Sequence, residues 1–258
     1  MRMLRLLRLT IALSVQQRLA HRADLAFSLL QTAVGMASGV SAVLLLFARV
    51  HVLAGWTRAE VIVLLGAYYV VSGLLRTFVE PNLDWFAERV VRGELDDKML
   101  QPVPLLFAVS AGSCHPLAFA EVVLGVGVMI AGAAGSGVTP GHVAACLLLL
   151  ATGTTVAWAS RTLLAAMAFW APGLEPTVLY GAFWQLGRYP TAVYHPVVRA
   201  LLTYVVPVAF VATFPAQALT RGASPLLLAG GVAAAAASVA VTRAVWGAGL
   251  KRYTSATS

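Results

Sequence analysis

The chain has 258 residues, 60% of them hydrophobic and 11% charged, with a mean hydropathy of +0.83. A soluble domain is about half apolar, so this composition excludes one and predicts a polytopic membrane protein. The net charge of +8 is no argument for nucleic acid, because the bases border apolar segments and form no stripe with interleaved aromatics.

Residues 1–22 carry Arg2, Arg5, Arg8, Arg18 and Arg22 within roughly half of a helical circumference, with Leu6 and Leu13 opposite. That pattern predicts an interfacial helix held by anionic headgroups, the plainer alternative being a basic flank of the first span. The apolar run behind these arginines is only about seven residues and gives no convincing secretory signal. Spanning helices need about 20 mostly apolar residues. By that measure spans are predicted at Leu25–Phe47, Glu60–Phe78, Pro116–Gly135, His142 to Ala165 and Pro225–Trp246. Gly35 and Gly39, with Ser38 and Ser41 nearby, predict a close helix approach, within the chain or with another subunit.

The loop after the second span, residues 80–101, holds six of the ten acids: Glu80, Asp84, Glu88, Glu94, Asp96 and Asp97. Asn82 suits an N-cap, and Leu83, Phe86 and Val90 recur at i, i+3 and i+7. An amphipathic helix is therefore expected over Leu83–Arg92, ended by Gly93. A second short turn is expected over Glu94–Leu100, closed by Gln101 and Pro102. Trp85 and Phe86 would give the pair an apolar side, a surface suited to a soluble partner. A solvated connector is the alternative.

Residues 171–222 are apolar but broken by Pro172, Pro176, Pro190, Pro196, Pro207 and Pro215, among others. Two arrangements fit. In one, Thr177–Tyr194 is a short fifth span followed by two half-helices that dip into the outer leaflet and hinge near Pro207. In the other, Thr177–Gly187 lies along the cytoplasmic surface and Val197–Leu219 is the fifth span, kinked at Pro207. Both give six spans. Lysines and arginines concentrate in residues 1–24, 81–101 and 251–252, which places both termini and the acidic loop in the cytoplasm. The same count favours the second arrangement, because the first puts Arg188 and Arg199 outside.

Catalytic chemistry is not expected. The five histidines are dispersed, no H-E-x-x-H or G-x-S-x-G occurs, and Cys114 and Cys146 read as small buried hydrophobes. No phosphate-binding G-x-x-x-x-G-K-[ST] is present, so ATP chemistry would need another chain. Glu121, early in the third span, is expected to meet a cation or to pair with Arg161, and Arg76 to snorkel. Tyr68, Tyr69, Phe183 and Trp184 offer aromatic faces suited to a lipophilic or cationic molecule; membrane-belt aromatics are the alternative.

The run RGELDDKMLQPVPLLF, residues 92–107, resembles the G-x-L-D loop closed by L-x-P of the ABC-2 type permeases, in a branch of small exporter subunits. LGRYPTAVY (186–194), LLTYVVPVAF (201–210) and GLKRYTS (249–255) agree in order along the chain. Gln101 departs from the pattern, since the branch more often has arginine there. The resemblance implies one all-α permease domain over residues 1–258 with six spans, embedded in the lipid bilayer of a bacterial inner membrane. It implies re-entrant half-helices before the last span, favouring the first arrangement. It further implies a second homologous permease, a heterodimer in preference to a homodimer, and a cytoplasmic ATPase dimer that carries ATP and Mg, with no cofactor or metal in this chain. ATPase coupling would then fall to Leu83, Trp85, Phe86, Gly93, Glu94, Leu95, Asp96, Leu100 and Pro102, and the substrate path to Tyr68, Tyr69, Glu121, Phe183 and Trp184. An ion-coupled secondary transporter or channel is the competing class; it calls for intramembrane acids and an inverted repeat, neither of them clear here.

Overall fold

A computed structural model describes residues 22–93, 95, 105–110, 113–171 and 176–253. The interfacial helix expected over residues 1–22 therefore lies outside the described residues except for Arg22, and so do Glu94, Asp96, Leu100 and Pro102.

The described residues form helices α1 (Arg22–Phe47), α2 (Arg58–Phe78), α3 (Glu80–Leu83), α4 (Phe86–Arg92), α5 (Leu105–Ser110), α6 (Phe119–Ala133), α7 (Pro140–Ala166), α8 (Pro176–Gln185), α9 (Pro196–Tyr204), α10 (Phe214–Arg221) and α11 (Pro225–Leu250). A 3-10 turn, Pro116–Ala118, leads into α6, and a π-helical turn, Ala209–Thr213, leads into α10. Five helices are long and apolar enough to cross a membrane, or six if α9 and the segment from Ala209 to Arg221 count as one span, bent by 78°. The protein is an all-α polytopic membrane protein, as its composition predicts.

Local chemistry fixes the helix starts. Thr57 Oγ1 accepts from Glu60 N at 3.4 Å while the Glu60 carboxylate accepts from Thr57 N at 2.8 Å, a reciprocal cap that begins α2. Thr139 followed by Pro140 starts α7, and Ser224 followed by Pro225 starts α11, each hydroxyl accepting from the amide three residues on.

α2 is the axis of the bundle. Within the apolar window of each helix, 78% of α2 is buried against 11% of α1 and of α11, so those two present most of their surface outward. The most extensive contact between helices runs between α2 and α6. A Cβ on Gly66 would lie 2.7 Å from the Gly125 carbonyl oxygen, and one on Gly125 would lie 2.9 Å from that of Gly66. Only glycine lets two backbones meet so closely. The pair expected from sequence, Gly35 and Gly39, is used within the chain: the Gly35 carbonyl accepts from the Tyr69 hydroxyl at 3.3 Å, and Gly39 packs on that same ring.

The proline-rich region matches neither expected arrangement in full. Thr177, at the start of α8, shares a small cavity with Glu80 and Arg161 at the Arg76 end of the bundle. Trp184 donates to Ser72 Oγ at 3.0 Å, and Gly187 packs against Tyr68, the midpoint of α2, and against Val208. α8 therefore rises into the bundle instead of lying along its surface. With ten residues, about 15 Å of helix, it stops halfway and is no complete fifth span. The chain leaves this depth at Arg188 and returns to it at Val208, and Tyr189 sits near Gly39 and Leu65, toward the Glu60 end. The π-helical turn then passes Gly153, at the middle of α7, and α10 continues from it until Arg221 reaches Glu60. α8 and α10 thus cross one half each, and the intervening hairpin hinges beside Pro207 as the first arrangement expects.

Candidate functional site

At the Arg76 end the chain turns straight from α2 into the acidic loop. Asn82 is not the N-cap that its position suggests. Its buried amide donates to the carbonyls of Phe78 (2.8 Å), Ser110 (3.2 Å) and Ser113 (2.8 Å), and its Oδ1 accepts from Ser113 N (2.7 Å) and Oγ (2.9 Å). One side chain so ties the entry of the loop to its exit. The expected helix over Leu83–Arg92 is split in two, because α3 closes at Leu83 and α4 begins at Phe86. Gly93 ends α4 with φ 72°, the left-handed conformation predicted for it, its N–H bonding back to the carbonyls of Arg89 and Val90.

The apolar side of the loop faces into the bundle. Leu83, Phe86 and Leu95 are buried. The Phe86 ring lies 5.4 Å from that of Phe169, beyond the end of α7, and 5.0 Å from that of Trp246 in α11. These three residues, expected to couple the loop to an ATPase, turn inward, and aromatic side chains near the ends of α7 and α11 cover Phe86. Asp84, Trp85, Glu88 and Arg92 are exposed, the last two paired along α4.

Above the loop lies a chain of charges. Arg76 Nη1 donates to Glu121 at 3.1 Å and Arg76 Nε lies 3.9 Å from Glu80; Arg161 Nη2 meets Glu80 at 2.8 Å. The expected pairing of Glu121 with Arg161 is thus replaced, and Arg76 does not simply snorkel. The glycine contact brings α6, and Glu121 with it, to the Arg76 side of α2, while α7 lies along another side. Arg161 also rests over the Tyr180 ring at 4.7 Å, and Tyr180 and Ser160 share a hydroxyl contact of 2.6 Å. Burial pushes the Glu80 carboxyl above its ordinary range, outweighing the two arginines.

A cavity of about 640 Å³ opens beside this network, between α1, α2 and the loop. Ser28, Gln31 and Thr32 line it from α1, Tyr68, Tyr69 and Arg76 from α2, and Glu80, Asp84 and Trp85 from the loop; Glu121 and Arg188 complete the wall. Of the residues expected along a substrate path, Tyr68, Tyr69 and Glu121 line this space. Trp184 is buried and bonded to Ser72, with its ring stacked on Tyr180, and Phe183 is half-buried; neither lines the cavity. Arg188 was legible only as a charge of awkward placement. Nothing in its local sequence points it at Tyr68, 120 positions earlier, and only the bend after α8 does so.

No curated protein and no solved structure matches the chain. The profile of the family described as "ABC-2 family transporter protein" matches residues 35–257, which takes in α2 to α11 and the second half of α1. An all-α bundle of apolar spans, a charged loop folded back on its end and that match agree: the chain belongs to the ABC-2 transporter family, as a membrane permease component.

Proposed function

We propose that this permease is the membrane-spanning subunit of an ATP-driven exporter in a bacterial inner membrane, with the Arg76 end and both termini in the cytoplasm. The observation that carries the reading is the seating of Phe86 between Phe169 and Trp246. A loop held this way passes a push on its exposed face to α2, α7 and α11 together, since Glu80 also grips Arg161. A solvated connector would need no such anchor. The push would come from a cytoplasmic ABC ATPase dimer that binds ATP and Mg. A second homologous permease, distinct from this chain, would complete the transport path.

In this reading Trp85, Gly93, Glu94, Asp96, Leu100 and Pro102 form or shape the ATPase contact, whereas Leu83, Phe86 and Leu95 transmit it. Tyr68, Tyr69 and Glu121 belong to the substrate path. The test is co-purification of the ATPase with a permease carrying Asp96→Ala and Leu100→Ala. Loss of the complex and of transport-coupled ATP hydrolysis is expected, and an unchanged complex with unchanged coupling refutes the assignment of the loop.

A further inference from the structure

Arg188 is the arginine of the cavity that the ionic network leaves over. Glu121 is taken by Arg76, and Glu80 is shared between Arg76 and Arg161. Among the described residues, no ion pair includes Arg188. Its guanidinium lies 5.7 Å from the centre of the Tyr68 ring, and its Nε is buried without a hydrogen-bond partner. Its neighbour Gly187 packs on the midpoint of α2, so the charge stands deep between the ends of the bundle. An arginine at that depth is costly unless an anion or water-filled space receives it, and such residues mark ligand paths. Of the carboxylates that line the cavity, Glu80 and Glu121 are held by other arginines, and Asp84 is exposed on the loop.

The space beside it has the size and the wall of a site for a small amphiphile. A volume of about 640 Å³ falls within the range of small-molecule pockets. Its α1 wall is polar toward the cavity, through Ser28, Gln31 and Thr32, while Leu29, Leu30 and Val34 on the same helix are exposed. A headgroup could enter between α1 and α2 while its alkyl tail stays along that outward apolar surface. A planar guanidinium fork matches carboxylate and phosphate oxygens two at a time.

We propose that this cavity binds an amphiphile with a phosphate or carboxylate headgroup, gripped by Arg188 above the face of Tyr68. As the identity of the transported substrate, this rests on the transport reading given above; as a binding site, it stands alone. It also reverses the cationic preference that the aromatic residues suggest from sequence, because the unmatched charge in the cavity is positive at its deep end.

The test is binding of radiolabelled dodecyl phosphate to the purified full chain in phosphatidylcholine nanodiscs, without any ATPase. Saturable binding is expected, displaced by dodecanoate and not by dodecyltrimethylammonium. Arg188→Gln should weaken it about ten- to a hundredfold, the range for losing hydrogen bonds to a charged group, with Arg188→Lys between. Arg199→Gln is the control, since that guanidinium meets only the carbonyls of Thr191 and Ala192. Two sources of the headgroup are separated by adding phosphatidylglycerol to the nanodisc: displacement of the probe identifies a bilayer lipid, and retention a free amphiphile. Equal or tighter binding of dodecyltrimethylammonium overturns the proposal, as does an unchanged affinity in Arg188→Gln. Should Arg188→Gln fail to fold, the opposed probes on the unaltered chain decide the matter. Binding that persists without ATP-coupled transport counts against the exporter reading and leaves the site standing.

Discussion

The ring of Phe86 lies 5.0 Å from that of Trp246, joining the loop behind α2 to a helix that begins 139 residues after Phe86. Phe86→Ala empties a fully buried site, and large-to-small aromatic changes of this kind cost about 3–5 kcal/mol. A lower melting temperature of the purified chain is expected, together with ATP hydrolysis that no longer drives transport. A variant that keeps both stability and transport would show that the loop does not act through this contact.

Asn82 offers a local test of the loop's geometry. Asn82→Ala leaves the amide of Ser113 and the carbonyl of Ser110 without their present partner, while the Ser113 hydroxyl keeps the Pro81 carbonyl at 3.1 Å; each polar group left unpaired away from water costs about 1–3 kcal/mol. Faster hydrogen exchange at the Ser113 amide is expected, with the centre of α2 unchanged. Equal protection in the variant would mean that other bonds hold the loop exit.

Glu80 sets burial against two arginines, and pH tells which wins. Its carboxyl is raised above the ordinary range by burial, so the folded chain binds that proton more readily than the unfolded chain. The stability this contributes is complete below the unfolded pKa and is lost as pH rises through the folded value. The melting temperature of the unaltered chain should accordingly gain on that of Glu80→Gln as the pH is lowered from neutral toward the ordinary carboxylate range. A gap that moves the other way would mean that Arg76 and Arg161 outweigh burial.

Gly66 and Gly125 make a steric prediction. A methyl group on Gly66 would stand 2.7 Å from the Gly125 carbonyl oxygen and from Met129 N, both backbone atoms that cannot swing away. Gly66→Ala should separate α2 from α6 and cost about 1–3 kcal/mol or more, as overpacking does. Gly127→Ala, in α6 two residues from Gly125 but with open space around it, should be silent. The readout is thermal unfolding of both variants side by side.

Much of this architecture is legible in the sequence. The five long helices follow from apolar length, and the end of α4 from Gly93. Partners are a different matter. That Arg76 takes Glu121, that Arg161 takes Glu80 and that Phe86 turns inward all depend on how α6, α7 and α11 stand around α2, which no local period encodes. Asn82 misled for a related reason: a good capping residue was claimed by Ser110 and Ser113, more than 25 positions away. Proline density announced that residues 171–222 break, but their depth could be read only from the contacts of Gly187 with Tyr68 and of Arg221 with Glu60.

The Glu60 end of α2 is fastened as firmly as the Arg76 end. Arg221 reaches both oxygens of Glu60, at 2.6 and 2.7 Å, and the Gly55 carbonyl at 2.6 Å. Twenty positions separate that clasp from Glu80, about 30 Å along a continuous helical path. A rod gripped at both tips, with glycine bearings along its flank, transmits displacement and absorbs little of it. Movement begun at the acidic loop would therefore arrive at the far face of the bundle at nearly full stroke.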